Sequence, residues 1–234
     1  MRMPLDEFIV TDANREAFER VKGSTQKHDE PERLFIVGPE DSGKTLLMRA
    51  RAMEKDLLST KSVIYVSAKE LLDALNSPNP EAVLDQVGEC DVLLIDDFPD
   101  LFSDPNVGPT LCKLLMVERA KHQGDTVFTS RFPLSKFDLK DFAGVMDVFE
   151  EIEIGALDEA GRRAFAESLR SADRPEDAPE PPAIGDDALD YIAGEYASKA
   201  SEVRAAMMHL MGDAGFEPGA AVDAAAAKEA LAAR

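Results

Sequence analysis

An α/β fold with a mostly parallel sheet, helices on both faces and a small all-helical domain after it is the architecture that the sequence predicts. Three observations lead to it. Apolar strand-like runs alternate with helical patterns up to about residue 171, a proline-rich acidic stretch follows, and the remaining residues have purely helical spacing. Strands that alternate with helices favour right-handed crossovers, and such crossovers join parallel strands.

The predicted elements follow from their apolar residues, taken in order along the chain. Continuous apolar runs, such as residues 34–37, predict buried strands, and apolar residues three or four apart predict helices. The predicted strands cover 34–37, 61–67, 91–97 and 125–130, with a fifth at 151–154. The predicted helices cover 14–21, 68–75, 109–122 and 158–171, with another directly after residue 45.

The C-terminal part has three predicted helices. Asp186 or Asp187 is expected to cap a helix over 188–196, and Ser201 a helix that ends near residue 211. An alanine-rich stretch favours a final helix at 220–233. These patterns divide the 234 residues into an α/β domain at 1–172, a stiff acidic connector at 173–182 and a helical domain at 183–234.

One motif indicates what the α/β domain binds. Residues 38–45 read Gly-Pro-Glu-Asp-Ser-Gly-Lys-Thr, a G-x-x-x-x-G-K-T pattern between a strand and a helix. Backbone N–H groups of such a loop and the N-terminus of the next helix face one anion, so the motif predicts polyphosphate binding. Lys44 would reach the β- and γ-phosphates, and the Thr45 hydroxyl would bind Mg²⁺. A chance glycine turn before a helix is the alternative.

Acidic and polar residues end the later strands. Asp96 and Asp97 follow the apolar run 92–95 at the carboxyl edge of the sheet, where open α/β sheets bind ligands. Asp96 would hold Mg²⁺ through water and Asp97 would orient the attacking water, unless the pair is an acidic turn. Thr129 and Ser130 end the next strand and could contact the γ-phosphate or that water, with an ordinary turn as the alternative.

A basic residue in the predicted helical domain is a further candidate. Arg204 lies in the segment Ser201-Glu202-Val203-Arg204-Ala205-Ala206. From this position it could reach the phosphates and couple the nucleotide state to the angle of the helical domain. A solvated surface arginine is the competing interpretation.

Charge and composition limit the classes of function. The formal net charge is −20, which argues against nucleic-acid binding because phosphate backbones attract Lys and Arg. No apolar stretch approaches ~20 residues and residues 1–6 lack an apolar signal core, so we expect neither membrane insertion nor export, and a cytoplasmic location. Cys90 and Cys112 form no C-x-x-C motif and have no nearby His cluster, so we expect reduced, partly buried thiols more than a metal site or a disulfide.

These motifs, in this order and spacing, resemble the AAA+ ATPase domain of the bacterial replication initiator DnaA and of its shorter relative Hda. The resemblance spans nearly the whole chain. The segments that carry it are Phe8-Ile9-Val10 with Asn14, the loop at 38–45, the strand at 63–66 with Ser67, the acidic pair at 96–97, Thr129-Ser130 and Val203-Arg204.

The resemblance implies an AAA+ P-loop fold with a helical lid, and a site for ATP or ADP with Mg²⁺. It implies that Ile9 and Val10 line an adenine pocket, that Thr129 and Ser130 form sensor 1, and that Arg204 is the sensor 2 arginine. The nucleotide-binding residues so expected are Gly38, Pro39, Asp41, Ser42, Gly43, Lys44, Thr45, Leu46, Ile9, Val10 and Arg204. The catalytic candidates are Asp96, Asp97, Thr129 and Ser130, and the metal-binding candidates are Thr45 and Asp96.

Three departures from DnaA limit the expected activity. Arg131 follows the Thr129-Ser130 pair where DnaA has an Asp, so slow hydrolysis is expected. Residues 146–150 contain no arginine that would reach the nucleotide of a neighbouring subunit. The sequence ends shortly after residues 225–231, where DnaA would continue into its helix-turn-helix domain, so origin recognition is not expected.

Two functions from different classes remain open from the sequence. The first is a DnaA/Hda-type regulator of replication initiation that binds ATP or ADP, hydrolyses ATP weakly or not at all, and acts on a protein partner, with the DnaA initiator as one candidate. The second is an active ATPase, similar to a helicase loader, that loads or remodels proteins on nucleic acid. A nucleotide-free scaffold is less favoured because every loop residue that phosphates need is present. Strong direct DNA binding is not expected in the first case.

Overall fold

A computed structural model describes residues 8–23, 31–58, 62–102, 117, 119, 124–137, 147–172, 180–196 and 199–232. The chain divides into two compact units. The first unit comprises residues 1–8 and 14–155, and the second comprises residues 9–13 and 156–234. The division therefore lies before the helix that the sequence assigned to the α/β domain, and not at residue 172 as expected.

The first unit is built on a five-stranded parallel sheet. Its strands are β1 Arg33–Val37, β2 Val63–Ser67, β3 Val92–Asp96, β4 Asp125–Ser130 and β5 Glu150–Glu153. The order is β2-β3-β4-β1-β5, and each neighbouring pair is parallel. Chain order and strand order differ, so the connections cross over the sheet, as the α/β prediction requires. The α/β fold class is confirmed.

In the described part of the first unit, four helices and two short 3₁₀ turns accompany this sheet. They are α1 Arg15–Gly23, α2 Lys44–Leu58, α3 Ala68–Leu75 and α4 Pro80–Glu89, and short 3₁₀ turns cover Phe98–Phe102 and Leu134–Lys136. The helix α4 is an addition to the sequence prediction. Its first residue is a proline, which is pre-organised for a helix N-terminus. Most of the helix predicted at 109–122 lies outside the described residues, although Val117 and Arg119 are helical.

Aromatic side chains fill the core on one face of the sheet. Phe35 of β1 and Phe128 of β4 lie in register on neighbouring strands. Phe98 packs edge-on against Phe35, with 5.3 Å between ring centroids, and lies 4.9 Å from Phe128. Because Phe98 follows Asp97 directly, burial of this ring fixes the chain where β3 ends, at the same edge of the sheet as the predicted site.

The second unit is mainly helical. Its helices are α5 Glu159–Arg170, α6 Asp186–Glu195, α7 Ala200–Met208 and α8 Ala224–Ala232, with a π-helical turn at His209–Asp213. The apolar residues of α5, among them Ala166 and Leu169, share one core with those of α6, α7 and α8. This shared core explains why α5 belongs to the second unit.

Two short strands modify the expectation of a purely helical C-terminal domain. β6 Ala183–Ile184 and β7 Ala221–Val222 form a parallel pair. Ile184 and Val222 are buried in the core of the unit, and the pair joins the chain before α6 to the chain before α8. Such two-residue strands carry no detectable periodicity, so the sequence pattern alone does not reveal them.

Two predicted helix caps are wrong. Gly185 occupies the N-cap of α6, and Asp187 instead accepts a hydrogen bond from the backbone N–H of Ala224 at 3.0 Å, at the start of α8. Lys199, and not Ser201, is the N-cap of α7. The N-cap of α5, for which no residue was predicted, is Asp158, whose carboxylate accepts from the Gly161 N–H at 2.7 Å.

No helix in the described ranges combines the length and the apolar character that crossing a membrane would need.

Candidate functional site

The loop at 38–45 connects β1 to α2 at the carboxyl edge of the sheet. The Gly38 N–H donates to the Ser130 carbonyl at 3.1 Å, which ties the loop to the end of β4. A side chain at residue 38 would collide with the Ile154 carbonyl oxygen, so this close backbone approach requires glycine. Gly43 has φ +93°, and Phe8 lies against it. Glycine at both motif positions thus has a local structural reason.

Lys44, the first residue of α2, turns its ammonium group into the loop. Its Nζ donates to the carbonyl oxygens of Gly38 at 2.8 Å and Pro39 at 2.6 Å, and to the Ser42 hydroxyl at 3.3 Å. Only 7% of the residue is exposed. Burial lowers the pKa of Lys44 below its usual 10.5, while the carboxylates of Asp97 and Asp96 act in the opposite direction. The loop therefore holds a desolvated cation where an anion would gain most from it.

Asp96 ends β3 and is 3% exposed. Its two carboxylate oxygens accept hydrogen bonds from different neighbours: Oδ1 from the Thr129 hydroxyl at 2.5 Å, and Oδ2 from the Tyr65 hydroxyl at 3.0 Å. These donors fix the orientation of the carboxylate and leave further lone pairs on both oxygens.

Asp97 lies immediately beyond the strand and is exposed. Its φ of +57° is unusual for a residue with a side chain, and the loop residue Asp41 has a φ of +60°. Among the residues that the structure describes, these are the two such cases outside glycine. Left-handed non-glycine residues are costly and concentrate at functional sites. Although the residue as a whole is exposed, partial desolvation of its carboxyl group and the nearby carboxylates of Asp96 and Asp100 raise the pKa of Asp97, whereas Arg131 and Lys44 lower it.

The hydroxyls of Thr129 and Ser130 are committed to neighbours within the protein. Thr129 donates to Asp96 and accepts from the Asp97 N–H at 3.0 Å. Ser130 donates to the Phe132 carbonyl at 2.7 Å and accepts from the Phe132 N–H at 2.9 Å. Both residues are fully buried. In this arrangement they shape the strand end, and direct contact with a phosphate or with water would require these bonds to rearrange.

Arg131 is the first exposed residue after β4. Its charge acts on Lys44 and on Asp97, because it lowers the pKa of both groups. By comparison with DnaA, Arg131 stands at the position of an Asp, and the sequence alone indicates only the loss of that carboxylate. Because β4 lies between β3 and β1, Arg131 adds a third charged group to the edge of the sheet that carries Lys44 and the acidic strand end.

Tyr65, which the sequence motifs also did not indicate, supports the Asp96 carboxylate. The Tyr65 hydroxyl, which donates to Asp96, accepts from Arg49 Nε at 3.2 Å, and the Arg49 guanidinium lies 5.6 Å from the centroid of the Tyr65 ring. Burial is the main cause that raises the pKa of Tyr65. The pairing of the strands explains this contact, because Tyr65 lies on β2 and β2 is the neighbour of β3, which ends at Asp96.

The predicted residues fall into two groups. The first unit contains the loop residues and the ends of β3 and β4, and it brings them together at one edge of the sheet. These residues are Gly38, Pro39, Asp41, Ser42, Gly43, Lys44, Thr45, Leu46, Asp96, Asp97, Thr129 and Ser130. The second unit contains the half-buried Ile9 and Val10 and the exposed Arg204 of α7.

The donor set fits a polyphosphate with a hard cation. The loop offers a buried ammonium group and the N-terminus of the long helix α2, and both favour an anion. The described residues contain no group of three or more His, Cys, Asp or Glu side chains that could hold a metal ion. A magnesium ion at this edge would therefore take most of its ligands from phosphate and water, as it commonly does.

Cys90 lies away from this chemistry. Its thiol is buried, and burial raises its pKa, which disfavours the reactive thiolate. Cys112 lies outside the described residues.

Solved structures with the same fold include DnaA proteins. The AMPPCP-bound DnaA from Aquifex aeolicus has 21% sequence identity and a TM-score of 0.73, and the match covers 92% of this chain and 66% of that one. Domain III of the Thermotoga maritima DnaA has 18% identity and a TM-score of 0.75, with 98% and 95% coverage. DnaI has 22% identity and a TM-score of 0.55, with 65% and 88% coverage. The chain thus spans just under two thirds of the Aquifex protein.

Sequence comparison assigns the family. Comparison with curated proteins gives no match. The family model for the bacterial DnaA ATPase domain matches residues 1–139, which is more than half of the chain, and the matched segment contains β1 to β4 and the phosphate-binding loop. The protein therefore belongs to the bacterial DnaA ATPase domain family.

Proposed function

We propose that this chain binds an adenine nucleotide and acts as a DnaA/Hda-type regulator of replication initiation through nucleotide-dependent contacts with a protein partner. The observation that carries the proposal is the arrangement at the edge of the sheet. Lys44, buried inside a phosphate-binding loop, lies at the same edge of the sheet as the acidic end of β3, whose carboxylates raise its pKa. The similar DnaA of Aquifex aeolicus, whose structure contains AMPPCP, supports ATP or ADP as the ligand.

Each part of the nucleotide has candidate residues. The backbone of residues 38–45 and Lys44 would hold the phosphates, and Thr45 and Asp96 would hold Mg²⁺, with Asp96 acting through water. When bound, the metal would neutralise charge on the β- and γ-phosphates. Ile9 and Val10 would line the adenine, and Arg204 would contact the phosphates from the helical unit. These last three assignments rest on the resemblance to DnaA.

Weak hydrolysis is part of the proposal. Asp97 is the candidate for orienting the attacking water, but the Thr129 and Ser130 hydroxyls already have partners inside the protein. Arg131 stands where DnaA has an Asp. A site that binds ATP without fast turnover suits a regulator, because the bound nucleotide then acts as a conformational ligand. The nucleotide shifts the population towards the conformation that it binds more tightly.

The partner is proposed to be a protein, with the DnaA initiator as the first candidate to test. A cytoplasmic location follows from that role. A helicase-loader-like ATPase is the second candidate function, and the likeness in fold to DnaI favours it. The intact Asp96–Asp97 pair is compatible with either candidate.

Calorimetric titration with ATP and ADP in the presence of Mg²⁺ tests the nucleotide site. Lys44→Ala removes the buried ammonium group, so we expect affinity to fall about 100-fold or more, the effect of losing two charged hydrogen bonds. Arg204→Ala is expected to weaken binding less, with the fold intact.

Lys69→Ala is the matched control, since Lys69 is an exposed lysine of α3 in the same unit. It removes the same charge and should leave affinity unchanged. Unchanged ADP affinity in both Lys44→Ala and Arg204→Ala would contradict the site. A second titration with the AAA+ domain of the host initiator, with and without nucleotide, tests the partner. If the heat of binding to this partner domain is the same with and without nucleotide, the regulatory proposal is contradicted.

A further inference from the structure

Arg131 occupies a central position at the ligand-binding edge. β4 lies between β3 and β1 in the sheet, so the residue after β4 stands between the acidic end of β3 and the phosphate-binding loop after β1. Hydrogen bonds to both neighbouring strand ends fix this position. The Gly38 N–H bonds to the Ser130 carbonyl, and the Asp97 N–H bonds to the Thr129 hydroxyl.

The hydroxyl groups of the two residues before Arg131 already form hydrogen bonds within the protein. Thr129 bridges Asp96 and Asp97, and Ser130 closes a turn with Phe132. Arg131 itself is exposed, and within the described part of the chain its guanidinium makes no hydrogen bond or ion pair. The polar group of this strand end that is available to a ligand is therefore the guanidinium.

A buried arginine in the same unit shows what a structural role looks like. The Arg119 guanidinium donates to the Gly88 carbonyl at 3.2 Å, the Asp125 carbonyl at 2.7 Å and the Thr126 hydroxyl at 3.2 Å. Arg119 is 3% exposed. Arg131 is neither buried nor hydrogen-bonded in this way, so a role in packing does not explain why an arginine occupies this position.

The electrostatics around Arg131 fit an anionic ligand. Its positive charge acts on the Lys44 ammonium group, and the two like charges repel each other. Its charge also acts on Asp97, the residue proposed to orient the attacking water. In phosphate-binding loops of this type the lysine reaches the β- and γ-phosphates. Arg131 follows the strand between β3 and β1, with Asp97 on one side and the phosphate-binding loop on the other, so it lies at the edge of the sheet where the outer end of a bound triphosphate would sit.

We propose that Arg131 contacts the terminal phosphate of a nucleoside triphosphate bound to the same chain, and thereby makes the site prefer a triphosphate to a diphosphate. This inference rests on the proposed nucleotide binding. A guanidinium group suits the task because its planar fork binds two phosphate oxygens at once. The residue that departs from the DnaA pattern then distinguishes the two nucleotide states.

The test compares affinities for AMPPCP, which retains a terminal phosphate, and ADP, both with Mg²⁺. We expect Arg131→Ala to weaken AMPPCP binding about 10- to 100-fold, as for a lost charged hydrogen bond, and to change ADP binding less than about threefold. Arg131→Lys should give an intermediate ratio, since it keeps the charge and loses the fork. Lys136→Ala, which removes an exposed charge five residues away, should leave the ratio unchanged.

The outcomes separate this inference from the proposed function. If the unmodified chain binds neither ligand, the nucleotide site fails and the inference fails with it. If it binds both, and Arg131→Ala leaves the AMPPCP-to-ADP ratio unchanged, the terminal-phosphate contact alone is overturned. An equal loss for both ligands would also overturn it, since it would indicate a general charge effect. Circular dichroism checks that the Arg131→Ala variant folds.

Discussion

At the scale of single residues, one buried hydroxyl fixes the acidic end of β3. Thr129 donates to the Asp96 carboxylate and accepts from the Asp97 N–H, so it holds both residues of the pair. The second bond also supports the left-handed backbone of Asp97. Tyr65 supplies the other donor to Asp96. The carboxylate is thus oriented before any ligand binds, which lowers the cost of ordering the site on binding.

Tyr65→Phe tests this pre-orientation. The substitution keeps the ring, and with it the contact to Arg49, but removes the hydroxyl that donates to Asp96. We expect the free energy of unfolding to fall by about 1 kcal/mol, because a buried carboxylate oxygen loses a donor. Urea denaturation of the unliganded protein measures the change.

A double-mutant cycle with Arg49→Met separates the two contacts of the hydroxyl. If the Arg49–Tyr65 hydrogen bond contributes, the two substitutions will be non-additive by about 0.5 kcal/mol or more. An unfolding free energy that does not change in Tyr65→Phe would show that Asp96 is held without this donor.

At the scale of elements, helix caps connect the sheet to the helices around it. Ser67 ends β2 and caps α3 in a capping box. Its hydroxyl accepts from the Glu70 N–H at 3.2 Å, and the Glu70 carboxylate accepts from the Ser67 N–H at 2.9 Å. The Ser67 hydroxyl and the Ser67 N–H both donate to the Glu70 carboxylate, and these two hydrogen bonds lower the pKa of Glu70. Because Ser67 pairs in register with Asp96, the cap also fixes the chain beside the acidic strand end.

Ser67→Ala is expected to reduce the free energy of unfolding by about 1 kcal/mol, since an N-terminal N–H of α3 loses its acceptor. Thermal and urea denaturation measure the change. Ser67→Thr keeps the hydroxyl and should retain most of the stability. Equal losses in the two variants would indicate that packing at residue 67, and not the cap, is responsible.

The elements show how far the sequence carries the prediction. The strands β1 to β4 were predictable because each contains an apolar run, and the G-x-x-x-x-G-K-T motif needs a strand before it and a helix after it. The strand β5 has one apolar residue, Ile152, and the next apolar residue, Ile154, follows at the two-residue spacing of a strand. The strands β6 and β7 were not predictable, because a strand of two residues is too short to show a repeating pattern of apolar residues. The cap of α6 was misassigned because Asp187 bonds to Ala224, a residue distant in sequence, and local patterns do not report such contacts.

The candidate site shows the same limit. Lys44, Asp96 and Asp97 were predictable from local motifs. The partners of Thr129 and Ser130 depend on which strands are neighbours in the sheet, and the importance of Tyr65 and Arg131 depends on the same order. Sequence spacing gives the residues at the strand ends, whereas the strand order decides which of them meet.

At the scale of the whole molecule, two units with separate cores divide the predicted site residues. The sheet unit carries the phosphate-binding loop, and the helical unit carries Arg204 with Ile9 and Val10. A ligand that contacts residues of both units would bind best in one arrangement of the two. This division gives the proposed regulator a physical basis for responding to nucleotide, since only a difference in affinity between two conformations can shift their populations.

The net charge of −20 leads to the last prediction, which concerns single-stranded DNA. A chain with this charge repels the phosphate backbone unless a local basic groove compensates. We expect no measurable binding of a 20-nucleotide oligonucleotide at about 0.15 M salt, with or without AMPPCP and Mg²⁺, in fluorescence anisotropy. Binding whose affinity falls steeply with salt would indicate phosphate contacts, since each neutralised phosphate contributes a slope of about −0.7. That result would favour the helicase-loader-like function, because a regulator that acts through protein contacts needs no affinity for the strand.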